Sequence, residues 1–352
     1  MSRLAQVIKQ VRPLDKQAMA QTRAHQDNLI KPQGSLGRLE ELSIKLAGIQ
    51  GKAMPSVERK TIIVMAGDHG VAAEGVSLYP QEVTAQMVLN FLGGGAGINV
   101  LARLAGARVV VVDMGLKVGL PSHPGLLNRR IGPGTANMAQ GPAMTREQAV
   151  AALEAGIETL EAEVSRGLDL VAGGDMGIAN TTPSSAITAV LAGVPLARAV
   201  GRGTGVRGRQ LAHKRAVVDQ ALKVNWPDPS DALDVLAKVG GFEIGGLAGL
   251  MLGAAAKRVP VVVDGFISSS AALVAAGLCP GVKDYFISAH RSAETGHRAL
   301  LHHMGLKPVL DLDLRLGEGT GAAMAMLVAE ASVRVLREMA TFASAGVSTS
   351  EG

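Results

Sequence analysis

Aromatic side chains are nearly missing from this chain: one Trp, two Tyr and five Phe in 352 residues. A protein that grips single-stranded nucleic acid by stacking its bases would have little here to stack them on. Runs of Lys and Arg are missing as well. The formal net charge is +5 and the pI about 9.4, but the basic residues are scattered, without the stripe or cluster that marks a nucleic-acid surface. So modest an excess suits a small phosphorylated substrate equally well. A single cysteine, Cys279, leaves no disulfide framework within the chain and fits a reducing compartment. The opening segment MSRLAQVIKQVRPLDKQ has the pattern of an amphipathic helix rather than the apolar stretch of a signal peptide. The greasiest run, Gly245 to Ala256, is too short and too rich in glycine to span a bilayer. The expectation is a cytoplasmic protein with no membrane and no nucleic-acid partner.

What is present is aliphatic. Hydrophobic residues make up 47%, mean hydropathy is +0.25, and there are 44 glycines. The core must therefore come from Ala, Val, Leu, Ile and Met, with many tight turns. One unit recurs: an apolar β-branched run, a polar glycine-containing loop, then a helical pattern. It begins at TIIVMAGDHG (Thr61), ARVVVVDMG (Ala107), LDLVAGGDMGIANTT (Leu168), VPVVVDGFISSSAAL (Val259), VKDYFISAHRSAETGH (Val282) and PVLDLDLRLGEGTG (Pro308). Runs apolar on both faces indicate parallel strands covered by helices, so the pattern predicts an open parallel α/β sheet with right-handed crossovers. Residues 60–320 form the large α/β domain in this reading. Residues 1–59, of which 1 to about 50 read as two helices joined by KPQGSLG, and residues 321–352, with one long helix from Ala322 to about Ser344, form a small helical subdomain. Gly346 to Gly352 read as disordered.

Ligands in such sheets bind beyond the carboxyl ends of the strands. Each run ends there in polar groups: Asp68 and His69, Asp113, Asp175, Asp264, Ser288 and His290, and Glu318. Gly93 to Val100, GGGAGINV, lacks the spacing of a dinucleotide loop and is read as a helix start. GRGTG, Gly201 to Gly205, is a better anion cradle, with Thr204 within it and Lys214 one segment on, although a plain turn accounts for it as well. Asp264 in VVVDGFISSS stands alone, without the paired acids of the common phosphoribosyl-diphosphate loop, and Ser268, Ser269 and Ser270 are read as helix caps. His69, His290, His297, His302 and His303, with Asp68 and Asp311, raise the question of a metal. None has a familiar ligand spacing, and no metal is expected. Glu318 lies between two glycines where a strand is expected to give way to a helix. A first-turn glutamate interacting with the helix dipole, worth about 0.3–1 kcal/mol, explains it. A general base raised toward working pH by partial desolvation explains it too. Residue type and position leave both readings open.

Taken together, eleven stretches resemble one family, the nicotinate-nucleotide–dimethylbenzimidazole phosphoribosyltransferases of cobalamin biosynthesis. They run from KPQGSLGRLE (Lys31) through AGDHGV, YPQEVTAQM, GGGAGINVLAR, GGDMGIANTT, GRGTG, HKRAVV, GGFEIGGLAG, VDGFISSSAAL and SAHRSAETGH to LRLGEGTGAAMA (Leu314). The resemblance implies a homodimer with a Rossmann-like domain, helices on both faces of its sheet, and a helical subdomain built from both chain ends. It implies transfer of phosphoribose from nicotinate mononucleotide to dimethylbenzimidazole without a cofactor. It makes Glu318 the catalytic base and Asp175 a secondary acid, at a position where the family often has Glu. Tyr79, Gln86, Met176 and Leu316 would line the benzimidazole pocket. Asn180, Thr181, Gly203, Lys214, Ser292, Arg315 and Gly317 would hold the phosphoribosyl part. Asp175 and Leu78, which replaces a small or polar residue in related sequences, leave open a different acceptor base. A non-catalytic nucleotide-binding homologue and a metal-dependent hydrolase are the competing functions.

Overall fold

The computed structural model describes residues 2–348. Six parallel strands form one sheet: β1 (Lys60–Gly67), β2 (Ala107–Gly115), β3 (Leu126–Asn128), β4 (Leu170–Met176), β5 (Val261–Val263) and β6 (Phe286–Ser288). Their order is β3-β2-β1-β4-β5-β6. The chain thus winds outward from β1 to β3, crosses back to β4 and winds outward the other way. The neighbours β1 and β4 mark the reversal, where such a sheet opens a crevice at its carboxyl edge.

The helices are α1 (Arg3–Gln10), α2 (Lys16–Asp27), α3 (Arg38–Gln50), α4 (Val83–Leu92), α5 (Gly97–Leu104), α6 (Arg146–Ser165), α7 (Thr181–Leu191), α8 (Leu196–Ala199), α9 (Gly208–Asn225), α10 (Ala232–Val239), α11 (Phe242–Ala256), α12 (Phe266–Leu278), α13 (Thr295–Met304), α14 (Thr320–Glu338) and α15 (Phe342–Ala345). Side chains alternate across each strand, so each sheet face carries its own core. Ile63, Met65, Val171, Val261 and Val263 pack with α6, α11 and α12. Ile62, Val64, Ala172 and Val262 pack with α3, α5 and α14.

Several boundaries differ from the expectation. The first fifty residues hold three helices, not two. The residue before Pro13 is forced out of the helical region, and Asp15 restarts the chain as an N-cap whose carboxylate accepts the Ala18 N–H at 2.9 Å. β3 was not foreseen; only its pairing with β2 makes its three residues a strand. Pro308 to Leu314 is not a strand. It meets the sheet edge only at Val309 and Leu310, which donate to Ser288 O and Ala289 O at 2.9 Å and form one bridge, Leu310 to His290, and Asp313 at φ +53° breaks the extension. The C-terminal helix ends at Glu338. Of the expected disordered tail, Gly346 caps α15 and Val347 donates to Phe342 O, while the last four residues lie outside the described ones. Val83–Leu104 is apolar enough in composition for a membrane span, but the chain breaks it into α4 and α5 at the Gly93 turn. Neither piece reaches across a hydrocarbon core.

Candidate active site

At the carboxyl edge of β4, β5 and β6 lies a cavity of about 320 Å³. Its lining includes Tyr79, Asp175, Met176, Asn180, Thr181, Gly203, Ser292, Arg315, Leu316 and Gly317, ten of the thirteen predicted site residues. Glu318 sits directly behind Gly317, and Lys214 reaches the cavity wall by donating from Nζ to Thr181 Oγ1 at 2.6 Å. Gln86 is the exception: it is exposed on α4 and takes no part in the lining. Asp113 also stays apart, held by the Gly115 and Leu116 amides at 2.9 Å and by Arg130 at 3.6 Å.

Three successive residues, Gly317, Glu318 and Gly319, have left-handed backbone (φ +85°, +64°, +91°). For glutamate this conformation costs of order 1–3 kcal/mol and persists only where the surroundings impose it. The surroundings here are the middle of the sheet. The turn lies flat on β4, where a side chain at Gly174 would collide with the Glu318 carbonyl, and a Cβ on Gly319 would come within 2.9 Å of Ile62. The flanking glycines therefore serve this turn, and Gly317 also lines the cavity. The Glu318 side chain, in a residue only 5% exposed, accepts the Ile98 N–H at 3.1 Å, at the first turn of α5. Burial raises its pKa, the amide opposes this, and the charge of Asp264 adds to the rise. The GGGAGINV stretch is a helix start, as read, and it also supplies the amide that grips Glu318. The sequence carried no signal of that contact.

More buried acids stand near Glu318. Burial, reinforced by Asp264, pushes Asp175 up to about 8, against a 2.9 Å hydrogen bond from Asn180. Asp264 accepts the Ala322 N–H at 2.7 Å and lies 4.0 Å from His290. Its pKa is raised by burial, with His290 and the amides at the start of α14 pulling the other way. His69 meets the Glu243 carboxylate through Nε2 at 2.8 Å in full burial. Burial opposes its protonation, but Glu243 and Asp68 outweigh it and hold the imidazole above its ordinary value. His297 is pushed down to about 3 by burial and by His290, and its Nε2 meets Ser269 at 3.0 Å. The three serines of α12 are thus not caps. Ser268 donates to Gly173 O at 2.8 Å, Ser270 to Ser184 Oγ at 3.1 Å, and the cap position is Gly265. Among the described residues no cluster of His, Cys, Asp and Glu is arranged to hold a metal ion; His302 and His303 lie in the last turn of α13.

The GRGTG turn brings a cation to the cavity. A Cβ on Gly203 would stand 2.7 Å from Thr181 Oγ1 and 2.9 Å from Lys214 Nζ. Glycine at this spot lets a ligand oxygen approach the ammonium. Burial pulls Lys214 down to about 8, with Glu294 resisting. Thr204 Oγ1 accepts the Leu78 N–H at 3.2 Å, so Thr204 fixes the Ser77–Tyr79 segment against the GRGTG turn. The arrangement offers a cation for a phosphate, a desolvated carboxylate for proton removal, and the apolar side chains of Met176 and Leu316 in the lining.

A family model described as phosphoribosyltransferase matches residues 11–347. The chain is 59% identical over 348 residues to a nicotinate-nucleotide–dimethylbenzimidazole phosphoribosyltransferase of Roseiflexus sp. (strain RS-1), with 99% of each chain covered. It is 58% identical over 345 residues to the protein of that name in Desulforudis audaxviator (strain MP104C), with 98% of each covered. Its structure resembles the crystal structure of CobT from Thermus thermophilus at a TM-score of 0.91 and 50% identity, covering 94% of this chain and 99% of that one. With the geometry of the cavity, these likenesses make the chain a member of the nicotinate-nucleotide–dimethylbenzimidazole phosphoribosyltransferase family.

Proposed function

We propose that this protein transfers the phosphoribosyl group of nicotinate mononucleotide to 5,6-dimethylbenzimidazole, giving α-ribazole 5′-phosphate and nicotinate for the lower ligand of cobalamin. The observation that carries the reading is Glu318: a carboxylate held in a strained turn, shielded from water, beside a cavity that a buried cation, Lys214, reaches through Thr181. One benzimidazole nitrogen attacks C1′ while the other gives its proton to Glu318. The nicotinate ring leaves with the C–N bonding pair as a neutral ring nitrogen, so no acid is needed to expel it. Attack from the opposite face inverts the β-anomer to α. Holding the two rings in line across the ribose supplies much of the rate, and the raised pKa of Glu318 makes it the better base.

Tyr79, Met176 and Leu316 line the side assigned to the acceptor base. Lys214, Thr181, Gly203, Ser292, Arg315 and Gly317 are assigned to the phosphoribosyl group. Asp175, with a pKa near 8, is largely protonated at neutral pH. It therefore acts as a hydrogen-bond donor, while Glu318 takes the proton. A cytoplasmic homodimer fits the exposed apolar residues Leu89 on α4 and Val100 and Leu104 on α5. Within the terminal helical subdomain, the packing of α2 on α3 and of α3 on α14 fits the division at residues 60 and 320, whereas α1 packs on α6 and α11 of the large domain.

Incubation with both substrates, followed by chromatography with mass detection, tests the reaction. Equal amounts of nicotinate and α-ribazole phosphate are expected from the wild type. Glu318→Gln should form neither above about 1% of the wild-type rate, general-base catalysis being worth about 10²–10⁴-fold, while still binding the benzimidazole. Nicotinate formed without the nucleotide product would show a hydrolase instead, and normal turnover by Glu318→Gln would remove the base assignment.

A further inference from the structure

Nine Asp and Glu residues are buried among the described residues: Glu40, Asp68, Asp113, Glu163, Asp175, Glu243, Asp264, Glu294 and Glu318. Eight accept a hydrogen bond from the chain, for example Asp113 from Gly115 N–H and Glu163 from Arg108. Glu294 is the ninth. It is 7% exposed, its Oε2 is buried, and no donor in the described chain reaches it. It occupies the N-cap position of α13, where a glutamate side chain has free amides close by, yet it makes no cap. Its backbone N–H goes to Ser292 Oγ at 3.3 Å, and both residues line the cavity. Leaving a buried carboxylate without donors is costly, and the cavity is the direction from which donors can arrive.

The GRGTG turn shows what kind of donor fits. Gly203 faces Lys214 and Thr181, whereas a Cβ on Gly201, two residues earlier, would collide with Glu294 Oε2. One turn therefore passes a cation and then a lone carboxylate. The two are not ion-paired with each other, although Lys214 feels the charge of Glu294. A ligand that satisfies both must carry an anionic group at one end and neutral hydroxyl donors a short distance away. A ribose 5-phosphate unit has that form, with the phosphate for Lys214 and the vicinal 2′- and 3′-hydroxyls for the carboxylate.

We propose that Glu294 receives the vicinal hydroxyls of the donor's ribose and makes the enzyme select ribonucleotide over 2′-deoxyribonucleotide donors. This rests on the phosphoribosyl-transfer reading above. Hydroxyls bonded to an anion are worth about 10- to 150-fold each, and a site built around a substrate hydroxyl rejects the analogue lacking it.

The test compares nicotinate mononucleotide with its 2′-deoxy analogue on the full chain. The wild type should favour the ribonucleotide by about tenfold or more in kcat/KM, by the value of a charged hydrogen bond. Glu294→Ala should bring the ratio close to one, and Glu294→Gln, which keeps the shape, should fall between them. A structural fault would lower both donors alike and leave the ratio unchanged; that result, or a wild type blind to the deoxy analogue, overturns the assignment. Calorimetry with ribose 5-phosphate and 2-deoxyribose 5-phosphate decides the same point without turnover. Should nicotinate mononucleotide fail to react at all, tighter binding of the ribose compound in the wild type but not in Glu294→Ala would still support Glu294. Equal binding of both in the wild type would dismiss it.

Discussion

Glu318 is a side chain whose backbone is under more constraint than its carboxylate. Its turn rests on Gly174, so the smallest possible intrusion there should be felt at the base. Gly174→Ala should lower kcat about 10²-fold, the scale of a roughly 1 Å misplacement, while the circular dichroism of the folded protein stays unchanged. A drop in secondary structure in parallel with activity would mean that the sheet, not the turn, had been damaged. Titration offers two further predictions at this scale. Lys214 is charged below about 8 and neutral above it, so kcat/KM for the nucleotide should fall as pH rises through about 8. The limb in kcat should move higher, since bound phosphate favours the ammonium. Asp175 runs from an ordinary value of 3.8 to about 8 in the fold. The native state therefore holds a proton that the unfolded chain releases, and stability from this group falls as pH rises across that window. Asp175→Asn should unfold at a higher temperature than the wild type at about pH 8.5, and closely match it at about pH 4. A variant less stable at both pH values would show that the carboxylate is not held neutral.

At the scale of elements, α14 begins at a turn without a side-chain cap of its own, and Asp264 from the end of β5 takes that role by accepting the Ala322 N–H. Asp264→Ala should cost about 1–2 kcal/mol, the value of a lost N-cap, readable as a lower midpoint in urea. An unchanged midpoint would mean that the helix start is held by packing alone. The same element shows what could be read beforehand. The five strands that lie in buried, β-branched runs were legible, because a run apolar on both faces has few other places to go. β3 was not, since Leu126–Asn128 carries no such pattern and exists through its neighbour. The segment Pro308 to Leu314 looked like a strand because Leu alternates with charge, but it pairs at the sheet edge only through Val309 and Leu310 before the left-handed Asp313 turns it away. Glu318 and most cavity residues were legible through their family pattern. The Ile98 amide, the Asp264 cap and the unpaired Glu294 were not. Each depends on a contact between segments distant in the sequence, and no local spacing encodes such a contact.

In the whole molecule, the winding reverses between β1 and β4, and the Glu318 turn sits over that central pair rather than on an outlying loop. The apolar residues of α4 and α5 face outward beside it. If they are the seam of a homodimer, light scattering should give twice the chain mass for the wild type, and Val100→Glu with Leu104→Glu should give the single mass; a wild-type monomer would discard that seam. The mounting of Glu318 has a consequence for how members of such a family diverge. Glu318, the proposed base, is 5% exposed and seated on the middle of the sheet, whereas Tyr79 and Leu316, assigned above to the acceptor side, are 55% and 61% exposed on irregular segments. Mutations can therefore sample new acceptor shapes at these positions without disturbing the proton-transfer step, so drift in acceptor preference and retention of the reaction are separable by descent.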